Sequence, residues 1–320
     1  MRPEMARVRS RLKGDATGPR SRGTAAGKRS LRTVAGVAIT HPDRVVAAAG
    51  DVTKLEVARY HADIAAWLMP QVAKRPLAVV KCPGGDLAGC FFQRHAGRPG
   101  GAAERPAATP PWLAAPTLAD VVALVQDGVF EFHTWAASFP RLDRPDRIVL
   151  DLDPDPTLRW AQVRDGCTAV RALLDRLDLA WFLKTTGGKG LHFVVPLARR
   201  HTFDEVKDFA RALAFSLAAA QPALFTATAK KSERTGRIFV DYLRNAPGAT
   251  AVAAYSLRAR AQLPVSMPIE WADLEVDVRD AHFNLRNARD HIAARARDPW
   301  AGYAAARAVL SATRQRALAP

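Results

Sequence analysis

The chain is short of cysteine, of long apolar runs and of acidic charge. Three cysteines in 320 residues cannot build a disulfide framework, and so few point to a reducing, cytosolic setting. No run of 18 apolar residues occurs; the most apolar stretch, Leu213 to Phe225, is broken by Ser216, Gln221 and Pro222, so no membrane-spanning helix is expected. Acids number 31 against 47 Lys plus Arg, a formal net charge of +16, which permits a polyanionic partner without demanding one. Internal repeats are lacking as well. What remains is a globular composition, about half apolar and a quarter charged, long enough for one large domain or two small ones.

The positive charge is unevenly spread. Residues 1–33 carry ten Lys/Arg and only Glu4 and Asp15 against them, half of the whole excess in a tenth of the chain. That stretch is rich in Gly, Ser, Arg and Ala and has little to bury, so a disordered basic arm or linker is expected there. A solvated tail, loose contact with nucleic acid and a transit peptide are all compatible with it, whereas a secretory signal lacks its apolar core.

From Val34 onward the pattern alternates between helix and strand. Apolar spacing predicts a helix over 54–74 closed by Pro76, and others over 118–126 (Thr117 as N-cap), 160–177 and 203–219 (Thr202 and Glu205 as a capping box). Short apolar runs at 77–80, 129–132, 148–152, 181–184, 192–195 and 238–242 read as strands, and 96–116 as a Gly/Pro/Ala-rich loop. The Ala/Arg-rich tail from Pro299 is expected to be helical. Mixed elements with short connections indicate an α/β or α+β domain with mixed sheets flanked by helices, spanning 34–310 and followed by a tail, 311–320.

Chemistry is concentrated in two places. The run RIVLDLDPDP, 147–156, carries a buried-type strand straight into Asp151 and Asp153, which a period of two puts on one side. Paired carboxylates there repel unless something positive lies between them, and Mg²⁺ or Mn²⁺ with oxygen ligands would serve; a solvated turn is the bland alternative. Asp241 ends another apolar strand in GRIFVDYLRN, and three acids on two strand ends suit a site holding two metals about 3.5 to 4 Å apart. The second place is KTTGGKGLH, 184–192, where Gly187, Gly188 and Gly190 free the backbone N–H groups to face an anion and Thr186, Lys189 and His192 add donors. It is neither a Walker A loop nor a dinucleotide fingerprint, and a plain hairpin with a solvated lysine competes.

Taken in order, DLDP, TGGKGLH and FVDYLRN, with THPDRV (Thr40 to Val45), TK (Thr53, Lys54), CFFQRH (Cys90 to His95), EFHTW (Glu131 to Trp135) and YSLRAR (Tyr255 to Arg260), resemble the archaeo-eukaryotic primase superfamily. The resemblance is closer to the polymerase domain of bacterial ATP-dependent DNA ligase D, an enzyme of non-homologous end joining. It implies a primase-like polymerase that adds NTPs or dNTPs, preferably ribonucleotides, to 3′-hydroxyls during double-strand-break repair. Asp151, Asp153 and Asp241 would hold two ions, Mn²⁺ or Mg²⁺. Thr186, Gly188, Lys189 and His192 would grip the triphosphate, Arg258 would neutralise it, and His133 and Arg244 would flank the nucleotide. Arg44, Lys54 and Lys81 would bind the 5′-phosphate of a DNA end or gap. Phe91 and Phe92 would form a stacking platform for the template, Phe92 packing inward of the two.

Several expectations follow from the same resemblance. Arg260 is read as structural. A zinc site at Cys82, Cys90 and His95 is rejected, because the spacing is not that of a finger and a fourth ligand is missing. Partners would be DNA ends, NTPs, a Ku-type end-binding protein and a ligase domain or partner, in the bacterial cytoplasm at the nucleoid and away from membranes. No K-x-D-G ligase motif is present, so either a stand-alone polymerase or one domain of a longer chain is expected. Two rivals stand beside this reading: a replicative or plasmid primase of the same superfamily, and a non-enzymatic module that bridges DNA ends.

Overall fold

The computed structural model describes residues 32–46, 51–95 and 112–318. Most of the basic arm, residues 96–111 of the loop and the last two residues lie outside these. From Arg32 onward the chain forms one compact unit. In chain order its elements are β1 (Arg32–Val34), β2 (Val37–Ile39), α1 (Lys54–Asp63), α2 (Ala65–Val72), β3 (Leu77–Lys81), β4 (Phe91–Gln93), α3 (Leu118–Gln126), β5 (Val129–Trp135), β6 (Ala137–Ser138) and β7 (Arg141–Pro145). There follow β8 (Arg147–Pro154), α4 (Trp160–Arg176), β9 (Phe182–Thr185), β10 (Leu191–Pro196), α5 (Phe203–Ala220), β11 (Phe225–Thr226), β12 (Ile238–Asp241), β13 (Thr250–Val252), β14 (Pro268–Ile269), α6 (Ala288–Ala293) and α7 (Ala312–Arg316).

Two sheets organise the molecule. One has six strands in the order β11-β12-β8-β10-β9-β14; the other has four, β13-β5-β3-β4. The central β8 pairs antiparallel with β10 on one side and β12 on the other. Its continuous run RIVLDL is buried on both faces, the signature of a strand covered twice. Ile148, Leu150 and Leu152 join Val170, Leu174, Leu213 and Leu217 of α4 and α5 in the apolar core. Gly166 lets α4 approach the sheet, since a Cβ there would stand 2.4 Å from the Ile238 side chain. Reciprocal capping boxes start α1 (Thr53, Glu56), α3 (Thr117, Asp120) and α5 (Thr202, Glu205), each satisfying backbone N–H groups that no helical carbonyl can reach.

Four expectations need correction. The helix over 54–74 is two helices separated at Ile64, and Pro70 lies inside the second, where its ring breaks the backbone ladder. The tail from Pro299 is mostly turns, with helix confined to α7, because Trp300, Leu310 and Leu318 are buried against the core. The third concerns the cysteines: Cys82 and Cys90 are joined by a disulfide across the turn between β3 and β4, and Cys167 alone is a free, buried thiol. This departs from the reduced state that the low count suggested, since the turn brings the two sulfurs together regardless of how few cysteines the chain has. Fourth, Phe92 is not packed inward; it and Phe91 are both largely exposed, because β4 is a three-residue edge strand paired only with β3. Among the described residues no helix is long and apolar enough to cross a membrane.

Candidate active site

Strand register assembles the site. Asp151 lies directly opposite Asp241 on β12 and His192 on β10, and His192 in turn opposes Lys184 on β9. A row of four polar side chains, Lys184, His192, Asp151 and Asp241, therefore crosses four adjacent strands on one face. Asp153, two residues on, shares that face. The three acids predicted to act together are thus side by side, as the period-two argument requires. Asp151 and Asp153 open onto a cavity of about 590 Å³ whose walls come from both sheets and include His133, Thr186, Gly188, Lys189, His192, Arg244 and Arg258; Asp241 adjoins it through Asp151 and Arg244.

Each carboxylate has a basic neighbour. Arg244 Nε lies 3.0 Å from Asp151 Oδ2 and 3.2 Å from Asp241 Oδ2, while Lys189 Nζ lies 3.5 Å from Asp153 Oδ1. The Nε2 of His192 is 3.3 Å from the other oxygen of Asp151. Burial opposes ionisation of Asp151, but His192 and Arg244 outweigh it and hold the carboxyl well below its ordinary range. Asp241 moves the other way. Burial pushes it up, and the repulsion of Asp151 and Asp153 adds to this against the pull of Arg244. Burial also lowers His192 to about 4, helped by the nearby Lys184 charge, so its imidazole is neutral at physiological pH. Lys184, fully enclosed and donating to Ser266 Oγ at 2.7 Å, is pushed well below its usual value by burial.

The glycine loop is a tight β9–β10 connection. Gly187 has φ +66°, a left-handed conformation that favours glycine, and a Cβ on Gly190 would stand 2.6 Å from the Leu152 carbonyl. The loop closes on itself through Thr186, whose N–H and hydroxyl both donate to the Gly190 carbonyl at 3.0 Å. Arg258 donates to the Thr186 carbonyl and, through Nε, to Glu131 Oε2 at 2.9 Å. Glu131 also accepts from His133 at 2.7 Å and from the Ala259 N–H at 2.8 Å. Burial would raise that carboxyl, yet the His133 hydrogen bond and the Arg258 charge hold it at about 2. Arg258 is therefore a strut for the loop as well as a charge on the cavity wall.

A second, smaller cavity of about 110 Å³ is lined by Arg44, Lys54, Gly84, Gly85, Asp127 and neighbours. Lys54 Nζ donates to the Thr40 carbonyl at 3.2 Å, and burial, then repulsion from Arg44, lowers its pKa. Lys81 does not line this cavity; it forms an ion pair with Asp127, which does. On the β4 edge, Phe92 shares a sheet face with Glu131 through their common partner Val80 and with His133 two residues further along β5, and its ring meets that of His133 edge-on at 5.2 Å. Phe91 pairs with Lys81 on the other face.

Sequence reasoning missed several residues. Arg260, read as structural, lines the large cavity, and its guanidinium lies against Gly188. Arg279 and Asp280 line the same end, the Asp280 N–H donating to the Gly188 carbonyl at 2.9 Å. Arg234 Nη1 lies 3.9 Å from Asp153 Oδ2. No spacing signal connects positions 100 residues apart; for Glu131, only its place beside His133 in EFHTW marked it out.

Comparison with known proteins gives the family and the fold. The profile of the family described as LigD, primase-polymerase domain, matches residues 53–300. The multifunctional non-homologous end joining protein LigD of Pseudomonas aeruginosa is 46% identical over 291 residues, covering 89% of this chain and 35% of that protein. Its counterpart in Mycolicibacterium smegmatis is 32% identical over 257 residues, covering 78% and 34%. The chain thus spans about a third of the length of these relatives. A solved structure, the polymerase domain from Mycobacterium tuberculosis ligase D in complex with DNA, superposes with a TM-score of 0.73 at 28% identity, over 80% of this chain and 94% of that one.

Proposed function

Because this chain belongs to the LigD primase-polymerase domain family, we propose that it is a metal-dependent nucleotidyltransferase that extends 3′-hydroxyl ends of DNA during non-homologous end joining. The observation that carries the reading is the placement of Asp151, Asp153 and Asp241 on one face of the six-stranded sheet, where Asp151 and Asp153 line the large cavity together with the glycine loop. The donor set suits hard divalent ions such as Mn²⁺ or Mg²⁺. All three ligands are carboxylates, and the pKa of Asp241 is raised by burial and by the repulsion of Asp151 and Asp153, which a divalent ion would relieve. When bound, two such ions lower the pKa of an attacking hydroxyl and stabilise an in-line displacement at the α-phosphate.

The chain supplies the remainder. Backbone N–H groups and the Thr186 hydroxyl in the glycine loop, with Lys189, Arg258 and Arg260, receive the triphosphate and hold its leaving group. Neutral His192 donates Nε2–H to Asp151 and fixes the orientation of that carboxylate. His133, kept neutral by burial and anchored on Glu131, lines the wall where the nucleoside would sit. Arg44 and Lys54, two like charges facing one cavity, suit the 5′-phosphate of a gap or break, with Lys81 paired to Asp127 on its wall. Phe92 and Phe91 offer exposed rings on which template bases stack. Ribonucleotide preference, recruitment by a Ku-type protein, work beside a ligase domain and residence at the bacterial nucleoid in the cytoplasm complete the proposal on the ground of family alone.

Primer extension on a gapped duplex with Mn²⁺, comparing NTP with dNTP and a 5′-phosphate with a 5′-hydroxyl, tests it. Extension favoured by NTP and by the 5′-phosphate is expected. Dinucleotide synthesis on unprimed template, with no use of the gap, would instead make the protein a priming enzyme. DNA bridging without any nucleotide addition would make it a scaffold.

A further inference from the structure

Between Asp151 and Asp241 stands a guanidinium. Arg244 reaches both carboxylates through Nε, at 3.0 and 3.2 Å, and Lys189 takes the third, Asp153, at 3.5 Å. With these partners in place, no three His, Cys, Asp or Glu side chains among the described residues converge to hold an ion. The acids are gathered on one face, yet their charge is answered by the protein's own cations. A guanidinium and a divalent ion cannot share the space between the same two carboxylates, since they repel each other and compete for the same lone pairs.

We propose that Arg244 is an internal counter-cation of the nucleotide-free protein, which leaves Asp151 and Asp241 when ions bind and takes up the triphosphate instead. The inference rests on the reading of the three acids as ion ligands. Local structure supports such an exchange. The backbone that carries Arg244 is fixed: Asn245 bonds the Val149 N–H and carbonyl at 2.8 and 2.9 Å, and the Leu243 N–H donates to Asp241 Oδ1 at 2.9 Å. The Arg244 side chain, by contrast, is 42% exposed and lines the large cavity together with Lys189, Arg258 and Arg260. A rotamer change therefore suffices to move its charge toward the phosphates, with no rearrangement of the loop. The cation set free would then face a cavity wall rich in other cations, Lys189, Arg258 and Arg260, until a triphosphate arrives. Ion and nucleotide binding are accordingly linked through this side chain, each favouring the other, beyond the chelation that occurs in free solution.

The test is a Mn²⁺ titration of the full chain, read by the loss of the free-ion electron paramagnetic resonance signal, with and without a non-hydrolysable NTP. Without nucleotide, Arg244→Ala is expected to bind Mn²⁺ more tightly than the parent, by about 5- to 50-fold, within the usual span of coupling between sites. Nucleotide should then tighten Mn²⁺ binding less in the variant than in the parent. Arg244→Gln, which keeps most of the side-chain length without its charge, should behave like Arg244→Ala and serves if the alanine variant does not fold. Arg244→Lys should stay near the parent. Equal or weaker Mn²⁺ binding by the uncharged variants without nucleotide would overturn the exchange. Mn²⁺ binding that is unchanged by Asp151→Ala in the parent would instead remove the acids as ion ligands, a failure of the proposed function and separate from that of Arg244.

Discussion

Two charged regions, an acidic strand face and a basic cavity, handle their charge in opposite ways. The acidic face on the six-stranded sheet is internally compensated, with Arg244 set against Asp151 and Asp241 and Lys189 against Asp153. The cavity at Arg44 and Lys54 is only partly compensated. Its two basic groups repel each other, and among the described residues Asp127 is the one acid on its wall, already engaged by Lys81. The difference teaches that the two sites load differently. On the proposed reading, ions would enter the acidic face by displacing a resident cation, whereas an anion would enter the basic cavity by relieving a repulsion that is already there.

Breaking the acidic side has the largest expected effect. Asp151→Ala or Asp241→Ala should lower nucleotide addition by roughly three orders of magnitude or more, as removal of a central catalytic group does, while binding to gapped DNA persists. Steady-state extension alongside fluorescence anisotropy separates the two quantities, and a variant that retains extension would remove its residue from the ion site.

Acid should separate the buried interior from the open cavity. His61, enclosed against Tyr60 and Phe132 with Nδ1 2.8 Å from the Val57 carbonyl, is lowered by burial to about 4. Its folded pKa lies below its unfolded value of 6.5, so the unfolded state binds more protons between the two. The contribution of His61 to stability is thus complete above pH about 6.5 and fades as pH falls toward 4, by on the order of 3 kcal/mol. Urea melts across that window should show the decline, and His61→Phe should flatten it. An unchanged slope in the variant would assign the acid sensitivity elsewhere.

The exposed edge is worth less. Phe92→Ala should weaken binding of template-bearing DNA by about 1–3 kcal/mol, the usual scale for one stacked base, with little change in NTP affinity. Phe91→Ala reports whether the opposite face of β4 also meets DNA. Least of all, Lys54→Ala and Lys81→Ala should each lower the salt slope of gap binding by about one and reduce the preference for a 5′-phosphate. Equal affinity of the parent protein for phosphorylated and unphosphorylated gaps would take the basic cavity out of the account.

Legibility in the sequence followed the range of the physics. Strand runs such as RIVLDLD and HFVVP stood out because burial on both faces demands an unbroken apolar string, and β8 and β10 lie within a residue or two of the predicted spans. The helix α3 was legible to the residue, since Thr117 and Asp120 form a local cap. That Asp151 and Asp153 share a face came from the two-residue period alone. What stayed hidden was set by partners far along the chain. The alignment of Asp241 with Asp151 depends on register between strands nearly 90 residues apart, and the Glu131–Arg258 strut spans 127. The tail was misjudged because its Ala/Arg composition favours a helix locally, while buried Trp300 and Leu310 tie it to the core. Phe92 was misjudged because an apolar side chain on a strand was assumed to have a core beneath it, and this edge strand has none.

The most direct measurement of the central claim is anomalous diffraction from crystals grown with Mn²⁺ and a non-hydrolysable NTP. Two Mn²⁺ peaks bounded by Asp151, Asp153 and Asp241, with the triphosphate lying in the loop 186–190, are the predicted result. Mn²⁺ bound away from these carboxylates, or a triphosphate outside that loop, would contradict it.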